Sequence, residues 1–143
     1  MSRALVFPGQ GAQTIGMGRA LAEAYPAARA VFEEVDAALG ESLSALVWDG
    51  DADTLTLTEN AQPALMATSM AAMRALESEG LGVETAAFVA GHSLGEYSAL
   101  CAAGAFGVGD AARLLRLRGR AMQAAVPVGE GAMAAILGLG EAV

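Results

Sequence analysis

A parallel α/β fold is predicted by three features of this sequence. Short apolar runs occur at "RALVF" (Arg3 to Phe7), "AAFVAG" (Ala86 to Gly91) and "GAMAAILGL" (Gly131 to Leu139), each the length of a buried strand. Long alanine-rich segments of helical character separate them. The first two runs also end at Gly- or Pro-bearing turns that lead into helices. Strands alternating with helices imply a parallel sheet covered on both faces. Three strands are few for such a sheet, and the sequence stops like a fragment.

Taken in order, the first strand is halted by Pro8-Gly9. The glycine-rich loop "GQGAQTIGMG" then leads into a helix near Met17 to Tyr25, interrupted at Pro26. A second helix, "AARAVFEEVDAAL", ends at Gly40, where a helix commonly stops. Residues 41–58 read as a short helix followed by a polar connection, "WDGDADTLTLT". A long Ala/Met/Leu helix is expected from Ala61 to Glu79, with Pro63 tolerated in its first turn. After the second strand, "SLGEYSALCAAGAF" is helical as far as Gly104, and Asp110 is the expected cap of "AARLLRLRGRAMQAAV". No internal repeat or low-complexity segment interrupts this order.

The 143 residues suit one ordinary domain, and 55% hydrophobic against 17% charged residues marks a globular chain. No apolar run approaches the roughly 20 residues of a membrane span, and the first is too short for a signal peptide. The single cysteine, Cys101, excludes an internal disulfide and suits the cytoplasm. The net charge of −8 argues against binding nucleic acid. All eight basic residues are arginines, and four of them, Arg113, Arg116, Arg118 and Arg120, lie within eight positions.

Gly91-His92-Ser93-Leu94-Gly95 fits the G-x-S-x-G pattern of a nucleophile elbow. A sharp strand-to-helix turn strains the serine, so its neighbours must be small. The hydroxyl then stands at a helix N-terminus, where free N–H groups favour an oxyanion. The strand before it and the helix after it are the required context; the alternative is a tight turn with a capping serine. His92 points away from Ser93 at such a turn, so it suits a supporting role better than that of general base. The sequence contains no other histidine. A Ser–His mechanism therefore needs a histidine from outside these residues.

On a helical wheel, Arg113, Arg116 and Arg120 form one solvated basic face. Arg118 falls instead among Ala111, Leu114, Leu115, Ala121, Met122 and Ala125. A guanidinium turned inward must be paired. Its partner is either an internal carboxylate such as Glu96 or an anionic substrate held bidentately. The first loop, "PGQGAQ", is not a phosphate loop, since the chain has no lysine and its glycines miss the G-x-G-x-x-G spacing. It is a tight loop at the carboxyl edge of a strand, on the same edge as Ser93 and able to offer an N–H to an oxyanion.

Five segments in order, "FPGQGAQ", "AQPAL", "GHSLGEYSAL", "LRGRAMQ" and "GAMAAILGL", resemble malonyl-CoA:acyl carrier protein transacylases of bacterial fatty-acid synthesis and the related acyltransferase domains of polyketide synthases. The resemblance implies that Ser93 is the acylated nucleophile, with backbone N–H groups of Gln10 and Leu94 as the oxyanion hole. It implies that Arg118 binds the malonyl carboxylate, that Gln62 lies near the substrate, and that Leu94 belongs to the malonyl-selective form of the motif. The implied fold is an α/β-hydrolase-like large subdomain with a small ferredoxin-like subdomain inserted. Residues 1–128 would belong to the first, and residues 129–143 would begin the second. The family's histidine lies beyond Val143.

The implied substrates are malonyl-CoA and acyl carrier protein, with no metal or cofactor, no membrane, and a monomeric enzyme when complete. The face of Arg113, Arg116 and Arg120 would attract the acidic carrier protein. A start at Met1 directly on a strand favours a discrete enzyme over a synthase domain. The alternatives are a polyketide synthase acyltransferase domain, a serine esterase of the α/β-hydrolase type, or a non-catalytic fragment.

Overall fold

The computed structural model describes residues 2–126 and 129–131. Strand β1 (Ala4–Phe7) and strand β2 (Phe88–Gly91) pair in parallel, Ala4 opposite Phe88 and Phe7 opposite Gly91. The pairing continues past both ends. Ala87 N–H donates to the Arg3 carbonyl at 2.8 Å, and His92 N–H to the Phe7 carbonyl at 3.1 Å. That last bond ties the turn bearing Ser93 to the end of β1. Most of the third expected strand, within "GAMAAILGL", lies outside the described residues.

Five α-helices and a short 3-10 turn (Val83–Thr85) separate the two strands: α1 (Arg19–Ala24), α2 (Pro26–Leu39), α3 (Leu43–Asp49), α4 (Ala52–Thr56) and α5 (Thr58–Ser78). Helices α6 (Gly95–Ala102) and α7 (Val108–Ala125) follow β2. Pro26 begins α2, where its missing N–H costs nothing, and Gly40 closes it in the left-handed conformation at φ 67°. Helix α5 is the central post, packed against α2, α6 and α7. Its alanines and methionines explain this. Ala61, Ala64, Met66, Ala67, Met70 and Ala71 are fully buried, and small side chains allow helices on several sides.

The structure departs from the expectations in four places. The polar connection after Trp48 contains α4, nucleated by Asp51, whose carboxylate accepts from Thr54 N–H at 2.8 Å. Helix α5 begins at Thr58 rather than Ala61, so Pro63 is its sixth residue and not in its first turn. Helix α7 begins at Val108 after Gly107. Asp110 is therefore not the cap but a first-turn residue paired with Arg113 at 2.6 Å. Finally, the strands are not buried on both sides. Leu5, Phe7 and Val89 face the core, whereas Val6 and Phe88 are 72% and 70% exposed. Among the described residues only one face of the sheet is covered.

Candidate active site

The site is built on the turn between β2 and α6. Ser93 has φ 54°, the only positive value outside glycine among the described residues. A chain that leaves a strand and enters a helix within three residues requires this conformation, and a side chain there is strained. The turn explains its flanking glycines. A Cβ on Gly91 would collide with the backbone of Gly95, and one on Gly95 with the Phe7 carbonyl. Leu94, 1% exposed, anchors the first turn of α6 in the core.

The backbone N–H groups of Leu94 and Gln10, expected as the oxyanion-hole donors, meet no acceptor among the described residues. Gln10 lies in the loop after β1, and its side-chain Nε2 donates to Thr58 Oγ1 at 3.2 Å. His92 makes no hydrogen bond with Ser93 among the described residues. Its ring lies instead on Gly9, where a Cβ would strike Nδ1, so the imidazole packs on the loop that carries Gln10.

Arg118 reaches this turn from α7. Its Nη2 donates to Ser93 Oγ at 3.1 Å and its Nη1 to Gln62 Oε1 at 2.7 Å. The guanidinium also lies 5.8 Å from the centre of the Tyr97 ring, within cation–π range. Gln62 is fully buried on α5, and its Nε2 contacts Met122 Sδ at 3.3 Å. Ser93, Arg118 and Gln62, separated by up to 56 residues in sequence, therefore meet. Glu96 is not a partner of Arg118, which has no carboxylate partner among the described residues. Such a guanidinium can take a carboxylate whose other end reaches the serine hydroxyl.

The arginine wheel needs one correction. Helix α7 buries Val108, Ala111, Ala112, Leu115, Arg116 and Gly119, while Leu114 and Leu117 are 42% and 67% exposed. Its contact face is thus chosen by small residues that admit α5 and α2 closely. At Gly119 a Cβ would come within 2.6 Å of Glu59 Cα. Arg116 consequently lies in the interior, 6% exposed, and Arg118 at the rim of the site. Arg116 donates to the Glu59 carbonyl at 2.8 Å and to Asn60 Oδ1 at 2.5 Å, and it pairs with Glu41. Burial pushes its pKa down, and the nearby charge of Arg120 adds to that. The expected face of three exposed arginines is reduced to Arg113 and Arg120, each paired with an acid, Asp110 and Glu59.

Thr58, Tyr97 and Met122 also touch the site residues, and the sequence did not single them out. Thr58 precedes Gln62 by four residues, so a helix beginning at Thr58 would have placed both on one face. A hollow of about 510 Å³ lined by Arg19, Phe32 and Trp48 lies among α1, α2 and α3, with none of the Ser93 partners in its wall. Among the described residues no group of three His, Cys, Asp or Glu could hold a metal, and no helix is long and apolar enough to cross a membrane.

Residues 4–141 match the profile of the acyl transferase domain. The chain belongs to the acyl transferase domain family. It is 56% identical over 136 residues to the malonyl CoA-acyl carrier protein transacylase of Bacillus subtilis (strain 168), covering 95% of this chain and 42% of that protein. It is similar to the crystal structure of the acyl-carrier-protein-S-malonyltransferase from Bartonella henselae, with a TM-score of 0.92 and 66% identity over 99% of this chain and 45% of that one. It is also similar to a malonyl-transacylase in complex with its type II polyketide acyl-carrier protein, with a TM-score of 0.83 and 46% identity over 89% of this chain and 40% of that one. The chain thus spans under half the length of these acyltransferase relatives.

Proposed function

We propose that these residues are the nucleophile-bearing part of an enzyme that moves a malonyl group from coenzyme A to the phosphopantetheine thiol of acyl carrier protein. The observation that supports it best is the Arg118 guanidinium, fixed by buried Gln62 and lying 3.1 Å from Ser93 Oγ. A free carboxylate on the acyl chain would displace the serine as a partner of the guanidinium and leave the hydroxyl facing the thioester carbonyl.

In the first half-reaction Ser93 Oγ attacks that carbonyl and gives up its proton to a base. The oxyanion is held by the N–H groups of Gln10 and Leu94. The C–S bond then breaks, coenzyme A leaves as its thiol after taking the proton, and a malonyl ester remains on Ser93. In the second half-reaction the carrier-protein thiol attacks the ester, returns the proton to Ser93 and leaves as the malonyl thioester. His92, packed on Gly9, does not suit the role of base; a histidine outside these 143 residues does.

Selection of malonyl over acetyl follows from Arg118, because an acyl chain without a carboxylate leaves the guanidinium's bidentate capacity unused. A simple ester would likewise find no use for that cation, which disfavours an esterase. The parallel strands and the elbow support an α/β-hydrolase-like subdomain for residues 1–128; the ferredoxin-like opening expected for 129–143 lies mostly outside the described residues. The partner is an acyl carrier protein, as in the complex of the type II polyketide relative.

Mass spectrometry of the chain after exposure to malonyl-CoA, with and without added imidazole as a replacement base, tests this proposal. A malonyl adduct on Ser93, raised by imidazole and absent in Ser93→Ala, is expected. Labelling by acetyl-CoA in preference to malonyl-CoA would overturn the role of Arg118.

A further inference from the structure

Pro63 has no N–H, so the carbonyl four residues before it, that of Glu59, lacks its regular helical i→i−4 hydrogen bond. This carbonyl accepts from Arg116 Nη1 at 2.8 Å. The same nitrogen donates to Asn60 Oδ1 at 2.5 Å, and Nη2 pairs with Glu41. A cation this deeply buried requires such partners, and two of the three lie in the first turn of α5. The neighbouring positions of α7 hold the same turn. Gly119 brings the two backbones together, Arg120 Nε meets Glu59 Oε2 at 3.1 Å, and Gln123 Oε1 accepts from Thr58 N–H at 3.2 Å. Arg118 and Gln62 project from these same two segments. Arg118 lies two residues beyond Arg116, and Gln62 three beyond Glu59.

We infer that Arg116 is a positioning residue for acyl selection. Through the carbonyl that Pro63 leaves free, it sets the register of α7 on α5, and with it the point where the Arg118 guanidinium meets Gln62 and Ser93. The inference rests on the acyl-transfer proposal and extends it to a residue that touches no substrate. Bidentate binding of a carboxylate tolerates displacements of only about half an ångström, so a small slide of α7 weakens recognition of the carboxylate while leaving the serine turn, built on β2 and α6, in place. Glu41 is 42% exposed and can be hydrated when Arg116 is replaced, and methionine can occupy most of the vacated volume.

The test compares initial rates of Ser93 acylation by malonyl-CoA and acetyl-CoA in the unmodified protein, in Arg116→Met, in Arg116→Lys and in Pro63→Ala. The malonyl-to-acetyl ratio is expected to fall about five- to tenfold in Arg116→Met, through weakening of one charge-assisted contact, with the acetyl rate nearly unchanged. Arg116→Lys, which still reaches the Glu59 carbonyl, restores part of the ratio. Pro63→Ala supplies a competing N–H to that carbonyl and lowers the ratio to a lesser extent, but has no further effect in the Arg116→Met background. An unchanged ratio in Arg116→Met, with only the unfolding midpoint shifted, would overturn the inference and leave the acyl-transfer proposal standing. If Arg116→Met does not fold, additive effects of Arg116→Lys and Pro63→Ala on the ratio overturn it as well. No acylation of the unmodified protein even with imidazole supplied as the base would overturn both.

Discussion

Replacing Ser93 in two ways separates the strain at the proposed nucleophile from its chemistry. Ser93→Ala and Ser93→Gly both remove the hydroxyl and its bond from Arg118, so they differ only in the Cβ and in backbone freedom. At φ 54° a residue with a Cβ bears about 1–2 kcal/mol of left-handed strain, which glycine does not. Glycine in turn costs about 0.5–1 kcal/mol through the greater freedom of the unfolded chain. The difference favours Ser93→Gly by about 0.5–1 kcal/mol, the reverse of the order at an ordinary position. For a chain of this length that amounts to a thermal midpoint about 1–4 °C higher. Urea and thermal unfolding followed by circular dichroism measure it directly. If Ser93→Ala proves the more stable of the two, the strain is not present and the elbow geometry is wrong.

Other outcomes follow from the packing around the site. Gly119→Ala should gain helix propensity but lose more through the Cβ placed 2.6 Å from Glu59 Cα; a net loss of about 1–3 kcal/mol is expected in urea titrations. Gln62→Leu keeps the buried volume but frees Arg118 Nη1, so the malonyl-to-acetyl labelling ratio should fall about tenfold, while the loss of stability stays within about 1 kcal/mol because Arg118 is only half-buried. Cys101 is buried, and that burial pushes its thiol pKa up, with Glu34 adding to the rise and Arg74 opposing it. Alkylation at mild alkaline pH should therefore be at least about tenfold slower than in urea. A raised pKa means that the thiol's contribution to stability is complete below the unfolded value and declines as pH rises through the higher folded one. A base titration of Cys101→Ala against the parent, showing a smaller decline in the variant, checks the sign.

The turn around Ser93 was readable because its constraints are local. Gly91, Ser93 and Gly95 lie within five residues, and their sterics follow from a strand running into a helix. The ends of α2 were visible for the same reason, in Pro26 and Gly40. The α4 helix was missed although its signal, Asp51 three residues before Thr54, was present, because glycine and aspartate there resemble a connection. The arginines were harder. A wheel orders residues around an axis but does not say which side meets a neighbour, and on α7 that side was chosen by Gly109, Ala112 and Gly119, which allow close approach. Arg116 therefore went into the core and Arg118 to its rim. Gln62 and Arg118, 56 residues apart, share a hydrogen bond only because α5 and α7 pack together. Local sterics placed Ser93, whereas its cationic neighbour and the buried arginine behind it came from long-range packing, which no nearest-neighbour rule along the chain contains.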